Sequence, residues 1–540
     1  MRKYLTTVVV SGLAIAAPVY AEESPSPDPA ALAAADAQIH SIRINNRNIF
    51  NLDDEREDKW LYRWANKLHI VTKPQVIEKQ LLFDVGDAYS KRLAEETARI
   101  LRSKKYFFDA DVTAKPRDDG SVDLTVTTRD VWTLKPGVSF SRSGGANKFG
   151  FDVRELNLLG YGVEVFVSGT DNVDRETLSF GYRDPQFRNT RIRTGFEVSD
   201  NSDGHTYSGS VIRPFYALNT TWAAGIRGLD DDRRTAYYSL GDEAAEYQHA
   251  RRSFSAFGGW SKGLRNGWVR RYRAGFAYDD NEFSAVRGGI LPAVIPADRT
   301  LAYPFISIEI LEDAFGTTQN KNQIGRTEDF FLGHQLSATF GYSAEEFGGD
   351  RDAIIYSATY NHAWGSLDKT ALITNAWVSG RLESGDTKNA VAGLVARLYM
   401  QQTEKSSFFA SIKGVAGHDL DDDNVVLLGG DNGLRGYPLR YQNGESRLLL
   451  SVEQRYFSDW YPFRLFRVGG AVFADVGRVW GESPVPELDQ KWMKDVGFGL
   501  RFASTRLGFR NMVHLDVAFP LDGDDSIDTV QILLGSKRSF

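Results

Sequence analysis

The sequence predicts a transmembrane antiparallel β-barrel preceded by one small α+β domain. Three observations predict it. From Trp132 onward, strand-length segments alternate apolar with polar or small side chains, separated by Gly/Asn/Asp turns. The alternation spans about 400 residues with no helical interruption, too many strands for one sandwich, and charges run along the polar face as in a wet barrel interior. Connections also alternate short and long. Gly263–Gly267, His362–Lys369 and Gln402–Ser407 are short, whereas Leu229–Ala250, Asp280–Thr300 and His418–Ser446 are long. With the first strand running outward, the long ones fall on one side, the transmembrane-barrel signature. Ala314–Asp329 is the exception, a long connection on the opposite side.

The chain begins as an exported protein should. Arg2 and Lys3 precede an apolar run, Leu5–Ala17, and Val19-Tyr20-Ala21 offers small residues for cleavage after Ala21. Residues 1–21 are therefore read as a signal peptide. No later apolar stretch reaches the roughly 18 residues a spanning helix needs. An exported chain of this kind is either soluble or a barrel, since only closed barrels otherwise satisfy every backbone group in lipid. Residues 22–38, rich in Pro, Ser and Ala, read as a flexible lead.

Composition excludes several functions. The 64 basic and 71 acidic residues leave a net charge of −7, unlike a nucleic-acid binder. There are no cysteines, hence no disulfide framework or thiolate metal site. The eight histidines are scattered, with no HExxH. No catalytic residues, metal ligands or cofactor site are expected, and the chain does not read as an enzyme. Asp421–Asp423 with Asp431 offer carboxylates to a cation, but a solvated acidic loop is the plainer reading.

Residues 39–130 have mixed patterning. Ile42 and Ile44 alternate as in a strand, and Trp60, Trp64 and Leu68 recur on one helical face. Ser90 caps a second helix, whose inner face carries Leu93, Thr97, Ile100 and Leu101. Two strands follow, Ala110–Ala114 and Val122–Thr127, around an Asp119-Gly120 turn. The order is β-α-α-β-β. Phe83, Gly86-Asp87, Leu101-Arg102 and Tyr106-Phe107-Phe108-Asp109 in this frame resemble a POTRA domain.

Residues 131–540 form the barrel region. The tally is about twenty strands, roughly fifteen before the 418–446 segment and about five after, an even number as in single-chain bacterial barrels. The chain closes on Phe540 after Val530, Ile532 and Leu534, the kind of terminal strand that outer-membrane assembly machinery reads.

The 418–446 segment contains Gly429–Tyr437, GGDNGLRGY. Its glycines and Asn are turn chemistry, yet Arg435 and Tyr437 sit side by side within it. Arg435-Gly436-Tyr437, Phe473-Ala474-Asp475-Val476-Gly477 and Gly497-Phe498-Gly499-Leu500-Arg501 occur in order. Upstream lie Glu155–Gly162, ELNLLGYG, and Asp184-Pro185-Gln186-Phe187. Over residues 39–540 this combination resembles the BamA/TamA outer-membrane assembly superfamily, which includes two-partner secretion transporters.

The resemblance implies a periplasmic N-terminal domain, an outer-membrane barrel of sixteen strands against the tally of twenty, and a loop folded into the lumen. Arg435 would contact the wall, with Asp475 accepting a charge-assisted hydrogen bond. Phe473, Asp475 and Gly477 share a face, as do Gly497, Gly499 and Arg501. The glycines would leave room for Tyr437, and Glu453 and Arg455 would extend the network. Relatives usually carry several POTRA domains, and this chain has room for one. The implied function is insertion or translocation of polypeptides at the outer membrane. The implied partners are membrane lipids, unfolded or exported polypeptides, and the machinery that inserts the barrel itself. A dedicated two-partner-secretion-like transporter and a plugged passive channel are the alternatives.

Overall fold

The computed structural model describes residues 36–485, 490–507, 512–523 and 527–537. The signal segment, residues 22–35 of the lead and Phe540 lie outside the described residues.

Twenty antiparallel strands close into one barrel, from the first, Leu134–Ser143, to the twentieth, Gln531–Lys537, which pair with each other. Fifteen precede the 418–446 segment and five follow it. The direct tally holds, and the family number of sixteen does not: each of the twenty strands is laddered to two neighbours. No described helix is long and apolar enough to cross a membrane. Period-2 alternation sorts the faces. On the eighteenth strand, Met493–Ser504, Val496, Phe498 and Leu500 are exposed outside, while Asp495 and Arg501 are buried inside.

One expected loop is a hairpin. Leu229–Ala250 belongs to the seventh and eighth strands, Trp222–Ser239 and Asp242–Arg265, which turn at Leu240-Gly241. Its charges sit in the ladder, with Asp231 opposite Arg251 and Arg251 paired to Asp279 at 2.8 Å. A run of charges reads as loop only when no cross-strand partner neutralises it.

The N-terminal domain comprises β1 (Ile39–Arg47), α1 (Trp60–Leu68), α2 (Pro74–Glu78), α3 (Lys91–Arg102), β2 (Phe107–Pro116) and β3 (Val122–Asp130). The short α2, opened by Pro74, is one helix more than the pattern suggests; proline is pre-set for a first helical turn. The sheet order is β1–β3–β2, with β1 parallel to β3. Ile39, Ile77, Phe83, Leu101, Phe107, Val122, Leu124 and Val126 form the core. Ser90 caps α3 by accepting from the Leu93 N–H at 3.4 Å. The Trp60–Trp64–Leu68 face of α1 points away from this core and is exposed.

This domain covers one end of the barrel. Arg102 pairs with Asp329 at 2.5 Å, Leu218 N–H donates to Glu96 at 2.8 Å, and Lys73 N–H donates to the Gly160 carbonyl at 2.9 Å. The long 314–329 connection lies at the same end. It forms a hairpin, Phe315–Thr318 with Glu328–Phe331, whose tip enters the lumen. There Ile324 packs against Phe457, Ala471, Ala503 and Met512. The Glu328 carboxylate holds the tip by accepting from the N–H groups of Lys321, Asn322 and Gln323 at 2.9 to 3.2 Å.

Candidate functional site

The connection between the fifteenth strand, Ser406–His418, and the sixteenth, Ser446–Phe457, folds back into the barrel from the other end. Two short strands, Val426–Leu428 and Gln442–Gly444, pair at its base. Its apolar side chains explain the inward path. Leu428, Leu434, Tyr437 and Tyr441 are buried against Leu449, Val479 and Met493 of the wall.

Its glycines serve approach more than turning. Among Gly429, Gly430, Gly433 and Gly436, only Gly433 has positive φ, at 126°. A Cβ on Gly430 would lie 2.5 Å from the Tyr437 carbonyl and 2.7 Å from Gly144 Cα. A Cβ on Gly436 would lie 2.6 Å from Asp495 Cβ. The loop thus touches both the wall and the turn joining the first two strands. Ser143 Oγ donates to the Gly430 carbonyl at 2.7 Å, and Arg440 pairs with Asp174 at 2.6 Å.

Arg435 reaches the wall on the seventeenth strand, Phe466–Trp480. Its Nε and Nη2 donate to Asp475 at 2.6 and 2.9 Å, and Nη1 donates to Glu453 at 2.8 Å. The guanidinium lies 3.4 Å from the Phe473 ring centroid. Burial alone would pull its pKa down; Asp475 and Glu453 outweigh that, and the net shift is upward. The cation is thereby fixed in a site where removing either carboxylate would leave an uncompensated buried charge. Arg455 joins from the same face as Glu453, its Nε donating to Glu453 Oε2 at 2.8 Å.

Several expected partners sit elsewhere. Arg501 pairs with Asp516 on the nineteenth strand, Met512–Pro520, and not with the loop. Gly497 makes room for the Phe473 ring, and Gly499 for Asp516. Gly477 faces Leu428, Leu434 and Leu449. None of the three serves Tyr437, whose hydroxyl donates to the carbonyls of Lys494 at 2.8 Å and Asp522 at 3.1 Å near the rim. Burial pushes that phenol up to about 12.

Asp495 is the residue the motifs omit: its carboxylate accepts from the Gly436 N–H at 2.9 Å. It shares the face of Gly497, Gly499 and Arg501, so strand periodicity would have found it.

Asp422 of the acidic run and Asp431 are exposed, while the run's other carboxylates are engaged by cations of the strands. Asp421 is held by Arg381 at 2.5 Å and Arg299 at 2.9 Å, Asp423 by Arg299 at 3.1 Å, and Asp419 by Lys388 at 2.6 Å. It clamps the loop to the strands beside it. No group of metal-binding side chains occurs among the described residues.

A protein of Treponema pallidum (strain Nichols), described as a candidate outer membrane protein assembly factor, is 29% identical over 179 residues, 31% of this chain. The chain spans 21% of that relative's length. Solved structures that align with it include BamA from Haemophilus ducreyi lacking POTRA domains 1–3 (13% identity, 93% of this chain, 84% of that chain, TM-score 0.36). CdiB from Escherichia coli aligns at 14% identity over 93% of this chain and 76% of that chain, TM-score 0.47. No protein-family model matches the chain. The barrel is an outer-membrane barrel, with the N-terminal domain at its periplasmic end.

Proposed function

We propose that this protein is a non-enzymatic machine that inserts polypeptides into the outer membrane through the seam between its first and twentieth strands. The observation that carries the reading is where the barrel closes: its first and twentieth strands meet beside the turn that the inward loop contacts. The two strands meet there at Leu534 and Arg142. The anchored loop supports it, since the 430–440 stretch latches the turn of the first strand from inside. Insertion is favoured over axial export because two inward segments stand in the lumen. The N-terminal domain acts as a single POTRA module. The edge of β2, which pairs only with β3 among the described strands, takes up an extended segment by strand addition.

The test uses the absence of native cysteine. In Arg142→Cys/Leu534→Cys, oxidation should close the seam and stop assembly of client barrels in cells, and reduction should restore it. Full activity with the seam quantitatively crosslinked overturns the reading. Crosslinking from β2 separates the cargo classes: many nascent barrels identify an assembly role, one secreted protein a dedicated export role.

A further inference from the structure

The exposed face of α1 has no partner among the described residues. Trp60 is 74% exposed and Trp64 58%, and Leu61 and Leu68 are also exposed. At 100° per residue these four side chains occupy one continuous arc of the helix. Tyr62 lies on the opposite side, buried against Phe50 and donating to the Phe463 carbonyl at 2.5 Å. A third stripe is basic and exposed: Lys59, Arg63 and Lys67, spaced four apart, with Arg63 paired to Asp58. One helix thus has a face for its own domain, an apolar face with nothing upon it among the described residues, and a cationic face between them.

Its position says what covers the apolar face. The 49–73 segment is pinned to periplasmic turns on both sides of the seam. Arg506 donates to the Ile49 carbonyl at 2.7 Å, and Asn157 donates to Thr72 at 2.8 Å. The turn that receives Tyr62 carries Trp460 and Phe463, exposed at 63% and 76%, at the periplasmic end of the lipid-facing wall. Aromatic side chains at that height mark the membrane–water interface. α1 is joined to this aromatic turn through the Tyr62–Phe463 hydrogen bond. Trp and Leu on one face with Lys and Arg beside them is the make-up of a helix lying in an interface, its basic edge toward anionic headgroups.

We propose that α1 is an interfacial anchor whose Trp60–Leu61–Trp64–Leu68 face is buried in the periplasmic leaflet of the outer membrane. It holds the N-terminal domain against the bilayer at the mouth of the seam. The occupant is phospholipid; an unfolded polypeptide on the same face is the rival that the experiment separates.

The full-length protein is reconstituted in phosphatidylethanolamine/phosphatidylglycerol vesicles with a nitroxide on Leu61→Cys or Trp64→Cys, and on Asp118→Cys in the β2–β3 turn as an aqueous reference. Heat-modifiable migration confirms a folded barrel in each. The oxygen-to-nickel-chelate accessibility ratio should be several-fold higher at 61 and 64 than at 118, without added polypeptide. Lys59→Gln/Lys67→Gln should lower that ratio in the anionic vesicles. Equal ratios at all three sites overturn the proposal. Ratios that rise only after an unfolded barrel polypeptide is added also overturn it and assign the face to cargo.

Discussion

Arg455 donates from Nη1 to the Lys321 carbonyl at 3.0 Å, joining two segments that enter the barrel from opposite ends. Its Nε holds Glu453, Glu453 holds Arg435, and Arg435 holds Asp475. Lys321 belongs to the periplasmic hairpin, which the N-terminal domain grips through Arg102–Asp329. A continuous run of hydrogen bonds and backbone therefore links the periplasmic domain to the outer loop. Arg455→Leu removes the middle of this run and leaves Glu453 with one fewer cation. The expected cost is about 3 kcal/mol or more, read as a lower urea midpoint for the reconstituted barrel, with faster proteolysis at the 319–327 tip.

Arg435→Lys should not rescue the function that Arg435→Ala loses. A lysine keeps the charge but cannot make the paired contact with Asp475 or lie flat on Phe473. Both variants should reach the outer membrane and migrate as folded barrels, and both should fall short in complementation. Full activity of the lysine variant would show that charge alone suffices.

The glycines divide by what they face. A Cβ on Gly430 meets backbone on both sides, so Gly430→Ala should lift the loop off the first hairpin and expose 430–440 to protease. A Cβ on Gly477 meets the ends of Leu428, Leu434 and Leu449, the nearest at 2.9 Å. Those side chains can rotate, so Gly477→Ala should cost about 1 kcal/mol and leave the loop protected.

The acid response should start at the clamp. Burial would raise the Asp421 carboxyl, but Arg381 and Arg299 hold it below its ordinary value. A depressed folded pKa gives stabilisation that is complete above the unfolded value, about 4, and is lost as pH falls through the folded value. Nicking of the 419–445 loop should therefore stay flat near neutrality and rise only at lower pH. Asp421→Asn should show the acid level of nicking at pH 7.

Deletion of residues 319–327 should enlarge single-channel conductance in planar bilayers, because Ile324 and Lys321 occupy lumen space between the fourteenth strand, Asp386–Thr403, and the nineteenth. An unchanged conductance would mean that the outer loop alone closes the pore.

The barrel was legible because alternation with period two is a local signal, and it persists through every strand down to the count. Arg435 and Asp475 were legible through their motifs. What escaped depends on partners distant in sequence. The charges of 229–250 looked like loop because their neutralising neighbours lie on adjacent strands. The 315–331 hairpin has strands of four residues, too short to show periodicity. Tyr437 could be read as buried, but its place beside Lys494 and Asp522 comes from loop geometry. For α1, spacing showed that Trp60, Trp64 and Leu68 share a face, and only the fold showed that the described residues leave it uncovered.

The outer loop joins distant parts of the chain: Ser143 to Gly430, Asp174 to Arg440, Asp475 to Arg435. These contacts reach back almost three hundred residues in one direction and forward forty in the other. Those with Ser143 and Asp174 cannot form until the earliest strands stand in the same cylinder as the loop, and long-range pairing is slow to gain its reward. Docking of the loop is thus a late event in the protein's own biogenesis. A seated Arg435 is a certificate of completion, issued by the chain to itself before it handles any other.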